Sequence, residues 1–178
     1  MKTPSFIRVI ALLGLTQAPV TPLYAETFLT VEQARKALWA DTAMSAAHVE
    51  LTTTQMKAIA NASGVRVSRS TLKAWKTADG GWFLVDQVVG KHEMIDVAIA
   101  LDAEGKVKGI EVLTYRETYG DEVKNQKWLA QFLGRGTEHH LKLDREIKNI
   151  SGATLSCRHI TDGVNRWTHT WDQVLRHI

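Results

Sequence analysis

Ser151-Gly152-Ala153-Thr154, followed by Leu155-Ser156, sets three hydroxyl side chains around one glycine at the head of the last amphipathic stretch of the chain. From Cys157 onward the apolar positions run Cys157, Ile160, Val164, Trp167, Trp171, Val174 and Ile178. Alternating spacings of three and four place them on one stripe of a helix. Thr154 falls three residues before Cys157, on the same side and at the N-terminal end. Ser151 is the expected N-cap, and Gly152 lets another group approach the backbone closely. The free N–H groups and positive dipole end of such a helix suit an anion. A threonine hydroxyl held beside them suits a phosphate. The plainer alternative is that Ser151 only caps a helix and Thr154 is an ordinary first-turn residue.

Other chemistry-bearing residues point to less. Glu117-Thr118-Tyr119-Gly120 reads locally as a hairpin end with a surface acid. His92-Glu93-Met94-Ile95-Asp96 lacks the second histidine of H-E-x-x-H and lies in a strand pattern, so no metal site is expected there. His139 and His140 are adjacent and would point opposite ways in extended chain, as a solvated pair. Thr154 and Ser156 lack the G-x-S-x-G surroundings of a hydrolase nucleophile. Cys157 is the one cysteine, so no internal disulfide forms, and its place on the apolar stripe predicts a buried thiol. Most of the six tryptophans, Trp167 and Trp171 among them, fall at packing positions.

The sextet S-G-A-T-L-S resembles the flavin-attachment motif of the FMN-binding domain family, which includes the covalent-flavin subunits of the sodium-pumping quinone reductase and of the Rnf electron-transport complex. A second family segment, usually E-T-P-G, resembles Glu117-Thr118-Tyr119-Gly120, and Trp128-Leu129-Ala130-Gln131-Phe132 follows it. The resemblance covers roughly Gly81 to Val164, and more weakly Val31 to Trp39. It implies that Thr154 carries FMN through a phosphoester bond, installed from FAD by a dedicated protein FMN transferase. It implies that Ser151, Gly152, Ala153, Leu155 and Ser156 surround the attachment point. Glu117, Thr118 and Gly120 would then approach the flavin, with Thr118 and the Gly120 backbone as hydrogen-bond donors. Two positions depart from the family pattern: Lys148 stands where an acidic residue is usual, and Tyr119 where proline is. The implied function is electron transfer between a donor and an acceptor that the sequence does not name. An enzyme with its own organic substrate is not expected. The alternative, which Lys148 favours, is a non-redox binding or accessory module that keeps the fold without covalent flavin.

The rest of the chain must position these residues. Lys2 and Arg8, the apolar run from Val9 to Leu15, and Leu23-Tyr24-Ala25 read as a cleavable secretory signal over residues 1–25. The expected location is therefore the periplasm, with no stable membrane insertion after cleavage. Residues 26–178 are long enough for one domain with a real core. Loss of Lys2 and Arg8 takes the formal net charge from +3 to +1, and no long basic run remains to favour nucleic acid. Thr30 with Gln33, and Thr52 with Gln55, have the capping-box form, predicting helices over Val31 to Trp39 and from Met56 to a stop at Gly64. Val65 and Val67, Leu72 to Trp75, Trp82 to Val89, Met94 to Leu101 and Val107 to Tyr115 look extended. Turns are expected at Ala78-Asp79-Gly80-Gly81 and Asp102-Ala103-Glu104-Gly105. Asp121 to Leu133 reads as a helix or helical lid. The predicted class is α+β: an antiparallel sheet flanked by helices, with a C-terminal helix starting at the Thr154 motif.

Overall fold

Short turns join the last four extended runs, and the chain folds into one six-stranded antiparallel sheet in the order Glu26–Thr27, Val107–Tyr115, Met94–Leu101, Trp82–Val89, Thr71–Thr77, Met44–Glu50. The computed structural model describes residues 26–178, so the predicted secretory signal lies outside the described residues. The strands are β1 (Glu26–Thr27), β2 (Met44–Glu50), β3 (Thr71–Thr77), β4 (Trp82–Val89), β5 (Met94–Leu101) and β6 (Val107–Tyr115). The helices are α1 (Val31–Trp39), α2 (Thr53–Ser63), the single turn α3 (Gln126–Leu129) and α4 (Thr154–Gln173). The α+β class is as expected.

Both predicted capping boxes are formed: Thr30 and Thr52 each accept from the backbone three residues on, and Gln33 and Gln55 reach back. Gly64 ends α2 in the left-handed conformation. The β5–β6 turn closes on Asp102, whose carboxylate accepts from the N–H groups of Glu104 and Lys106. Two expectations are corrected, and one strand is added that the sequence reading did not name. Val65 and Val67 lie in an irregular link, and β3 begins at Thr71. Met44–Glu50 is a strand that the sequence hides. Its Ser-Ala-Ala-His composition has little β-propensity, and it is held by pairing with β3 from Met44↔Thr77 to Glu50↔Thr71. The predicted Asp121–Leu133 helix is three short pieces: 3-10 turns at Asp121–Lys124 and Ala130–Phe132 flank α3.

The sheet is covered on both faces. Alternation along β5 sends Ile95, Val97, Ile99 and Leu101 into the main core, and Ala98 and Ala100 to the opposite face under α1. The main core takes the stripe of α4: Cys157, Ile160, Val164, Trp167 and Val174 are buried. Trp171 is half-buried. Ile178, expected on that stripe, is exposed because α4 ends at Gln173 and the chain tightens into a 3-10 turn, which breaks the helical phase. Part-buried hydrogen bonds to β4 and buried ones to the preceding link fix α4 in place. Trp167 Nε1 and Arg166 both donate to the Asp86 carboxylate at 2.8 Å. The Asn165 amide bonds Leu141 N–H at 3.0 Å and Leu141 carbonyl at 2.9 Å, tying the link before the motif to the helix. Among the described residues no helix is long and apolar enough to cross a membrane.

Candidate functional site

The start of α4 is open. Ala153 occupies the N-cap position and no side chain caps the helix. This corrects Ser151 as N-cap: Ser151 and Gly152 form a turn closed by Ala153 N–H donating to Ile150 carbonyl at 3.0 Å. Gly152 sits at φ 86, which only glycine adopts freely, and the turn moves the helix start two residues downstream of the serine. The first helical bond runs from Cys157 N–H to Ala153 carbonyl, 2.9 Å. The N–H groups of Thr154, Leu155 and Ser156 precede it and point out along the axis. A Cβ added at Gly152 would meet nothing within 4 Å, so the space beside that glycine is open. Thr154 is half-buried, and its Oγ1 accepts from Asn149 Nδ2 at 3.0 Å.

The second motif lies against the first. Tyr115, the last residue of β6, donates from Oη to Tyr119 carbonyl at 2.7 Å and lies 3.0 Å from Ser156 Oγ. A phenol has one proton, so Ser156 is the donor in the latter bond. Burial pushes the Tyr115 hydroxyl's pKa above its ordinary value, with the Ser156 bond partly offsetting it. Gly120, at φ 93, brings the loop onto the motif: a Cβ there would lie 2.6 Å from Tyr115 Oη and 3.1 Å from Ala153 Cβ. Thr118 and Tyr119 are exposed, Tyr119 at 81%. Glu117 faces elsewhere. Its carboxylate accepts from the N–H groups of His92 at 2.5 Å and Glu93 at 2.9 Å, bracing the β4–β5 turn. Partial burial opposes its ionisation, but the backbone donors of Glu93, His92 and Lys91 outweigh it and hold the carboxyl below its ordinary pKa.

The structure therefore brings the 151–156 motif together with Gly120 and, through Tyr115, the Tyr119 carbonyl; Thr118 is exposed on the same loop, and Glu117 braces the β4–β5 turn instead. Trp128 and Phe132 are buried and meet edge to face, 5.2 Å between centroids. Trp128 Nε1 donates to Lys148 carbonyl at 2.7 Å, and Lys148 N–H donates to Gln131 Oε1 at 2.8 Å. These two bonds strap the chain just before the motif to the α3 region. Beside the strap lies a shallow depression of about 460 Å³ walled by Trp128, Lys148 and Ile150. A larger cavity of about 640 Å³ opens between β3 and β4 next to Arg166 and Trp167. It lies about 18 Å further along α4. Sequence reasoning missed Tyr115 and Asn149. Tyr115 meets Ser156 across a separation of 41 residues, which no local pattern marks. Asn149, a short amide just before a Ser-Gly turn, carried a usable signal, since such side chains commonly bond a few residues downstream.

Fold and site together define an α+β module in which a helix of 20 residues presents unpaired N–H groups, with a hydroxyl on its first residue, to an anionic ligand. Residues 90–169, from the β4–β5 turn through most of α4, match the FMN-binding domain family. This stretch belongs to that family, and the protein has a flavin-binding role with FMN as cofactor. No curated protein matches the chain. The residues present suit FMN. The uncapped helix start and the Thr154 hydroxyl answer a phosphate. Tyr119 and Leu155, next in sequence to Gly120 and Thr154, are exposed and offer apolar surface to an aromatic ring.

Proposed function

We propose that the protein is an exported electron carrier holding one FMN as a phosphoester of Thr154, loaded by an FAD-dependent protein FMN transferase. The observation that carries this reading is the half-buried Thr154 hydroxyl at the first position of an uncapped helix, with the 117–120 loop packed beside it. When bound, FMN supplies reversible electron transfer. The chain supplies the rest. The N–H groups of Thr154, Leu155 and Ser156 neutralise phosphate charge, and the Tyr115–Ser156 bond fixes the loop against the helix. Thr118 and the Gly120 backbone are the groups assigned to the ring, and the exposure of Thr118 and Tyr119 leaves that side open to a donor and an acceptor.

Export gives the covalent bond a physical purpose. Outside the cytoplasm free flavin is dilute, so a dissociable cofactor would leave by mass action, and an ester removes that equilibrium. Residues 1–25 supply the signal in this reading, and the mature chain works in the periplasm.

Mass spectrometry of the mature protein tests the assignment. One FMN less one water is expected on the peptide containing Ser151 to Ser156, and none in Thr154→Ala. Label kept in that variant, or found on Ser156, would overturn it. The second reading is an accessory module without covalent flavin, which the cation at Lys148 favours. A flavin absorption band that survives denaturation excludes it. Its absence in protein expressed with the transferase supports it.

A further inference from the structure

We propose that Asn149 is a positioning residue for the modification of Thr154, holding the Thr154 hydroxyl as a hydrogen-bond acceptor so that its proton stays available. The inference rests on Thr154 being the attachment residue.

The other threonines of α4 show what a helical threonine does when left to itself. Thr161, Thr168 and Thr170 each donate the hydroxyl proton to the carbonyl four residues back, at 2.8, 3.1 and 2.8 Å. Thr154 differs. The carbonyl four residues before it, that of Ile150, takes the Ala153 N–H, and Thr154 Oγ1 instead accepts from Asn149 Nδ2. A hydroxyl that accepts this way keeps its proton for another partner. Asn149 is itself held firmly. Lys148 is strapped through its N–H to Gln131 and through its carbonyl to Trp128. The Ile150–Ala153 turn follows. The other end of the amide, Oδ1, is buried and has no hydrogen-bond partner among the described residues. An unpaired buried amide oxygen costs stability, so this side chain is a poor choice for a purely structural brace.

In the loading reaction Thr154 Oγ1 bonds to the flavin-side phosphorus of FAD. The pyrophosphate bond breaks, AMP leaves with the bridging oxygen, and the threonine proton passes to a base of the transferase. No group is oxidised or reduced. Threonine in a helix populates two rotamers. The Asn149 bond selects one and points the free proton away from the helix.

The test measures initial rates of FMN loading onto the full mature chain by intact mass, with FAD and a protein FMN transferase, over a range of chain concentrations. Thermal melting of each unloaded chain is followed in parallel. Asn149→Ala should lower kcat about tenfold or more, as expected for a misplaced nucleophile, with KM within about twofold and the melting temperature not reduced. Asn149→Asp should also be slow, because a carboxylate cannot donate and captures the hydroxyl proton. If Asn149→Ala fails to fold, Asn149→Asp carries the test alone. Wild-type kcat in Asn149→Ala, or faster loading in Asn149→Asp, would overturn the inference and leave Thr154 as the attachment residue. A wild-type chain that takes no label on Thr154 would overturn the attachment itself.

Discussion

Replacing Gly120 by alanine probes whether the two motifs really touch. The new Cβ would lie 2.6 Å from Tyr115 Oη, 3.1 Å from Ala153 Cβ and 3.3 Å from Ala153 Cα. Tyr115 is buried and bonded to Tyr119 carbonyl and Ser156, and Ala153 is the N-cap residue of α4, so neither can move freely. Two costs add. Holding a non-glycine residue at φ 93 costs about 1–2 kcal/mol. Overpacking a filled site costs about 1–3 kcal/mol more. The expected total is about 2–5 kcal/mol, read as a lower urea midpoint at unchanged m-value. Gly134→Ala separates the costs, since Gly134 sits at φ 71 with nothing within 4 Å of an added Cβ. It should lose the backbone cost alone. Because the closest atom is the phenol oxygen, Tyr115→Phe combined with Gly120→Ala should be less destabilised than the two single changes add to. Equal losses in Gly120→Ala and Gly134→Ala would mean that the loop does not pack on the helix start, and the assembled site would fall with it.

Burial raises the pKa of the Asp162 carboxyl, only partly offset by His159, Arg158, His140 and Arg166. Its ionisation therefore costs stability at neutral pH and nothing once it is protonated in both states. Asp162→Asn should melt higher at pH 7, with the gain shrinking as pH falls into the carboxylate range; a gain independent of pH would refute this. Lys148→Asp keeps both backbone bonds of the strap and restores an acid, so it should lower the KM of the chain in the loading assay while leaving kcat near wild type. An unchanged KM would mean that the transferase does not read this position. Thr118→Val keeps the shape and removes one hydrogen bond worth about 0.5–1.5 kcal/mol, so it should shift the flavin potential without releasing FMN. An unchanged potential would remove Thr118 from the ring.

Local signals were legible where local physics decides the outcome. Thr30, Thr52 and Gly64 mark helix ends because caps satisfy backbone groups within one turn. Asp102 marks its hairpin for the same reason. β2 was hidden because pairing with β3 outweighs a composition poor in strand formers. Ser151 looked like a cap because serine often is one, yet the backbone conformation of Gly152 decided where the helix begins. Glu117 was read toward a ligand, and only the fold reveals the unpaired N–H groups of His92 and Glu93 that claim it. Thr154 was legible as part of a motif. Its supporting contacts, Tyr115 and Asn149, were not named, because a motif records residue types and says nothing of what the fold sets beside them.

With FMN attached as proposed, the absent cap on α4 would make loading a thermodynamic event as well as a chemical one. A phosphodiester anion placed at the end of a long helix does what a capping side chain does elsewhere, and a partly buried charge in that position contributes up to about 2 kcal/mol. The empty chain is therefore the looser of two forms, most of all in the first turn of α4. That turn buries Ser156 and Cys157 and meets Tyr115 of β6. A protease that samples local opening would discriminate between them by population alone. Under the proposed attachment, cofactor insertion would double as a maturation mark, and molecules that miss it would be cleared first.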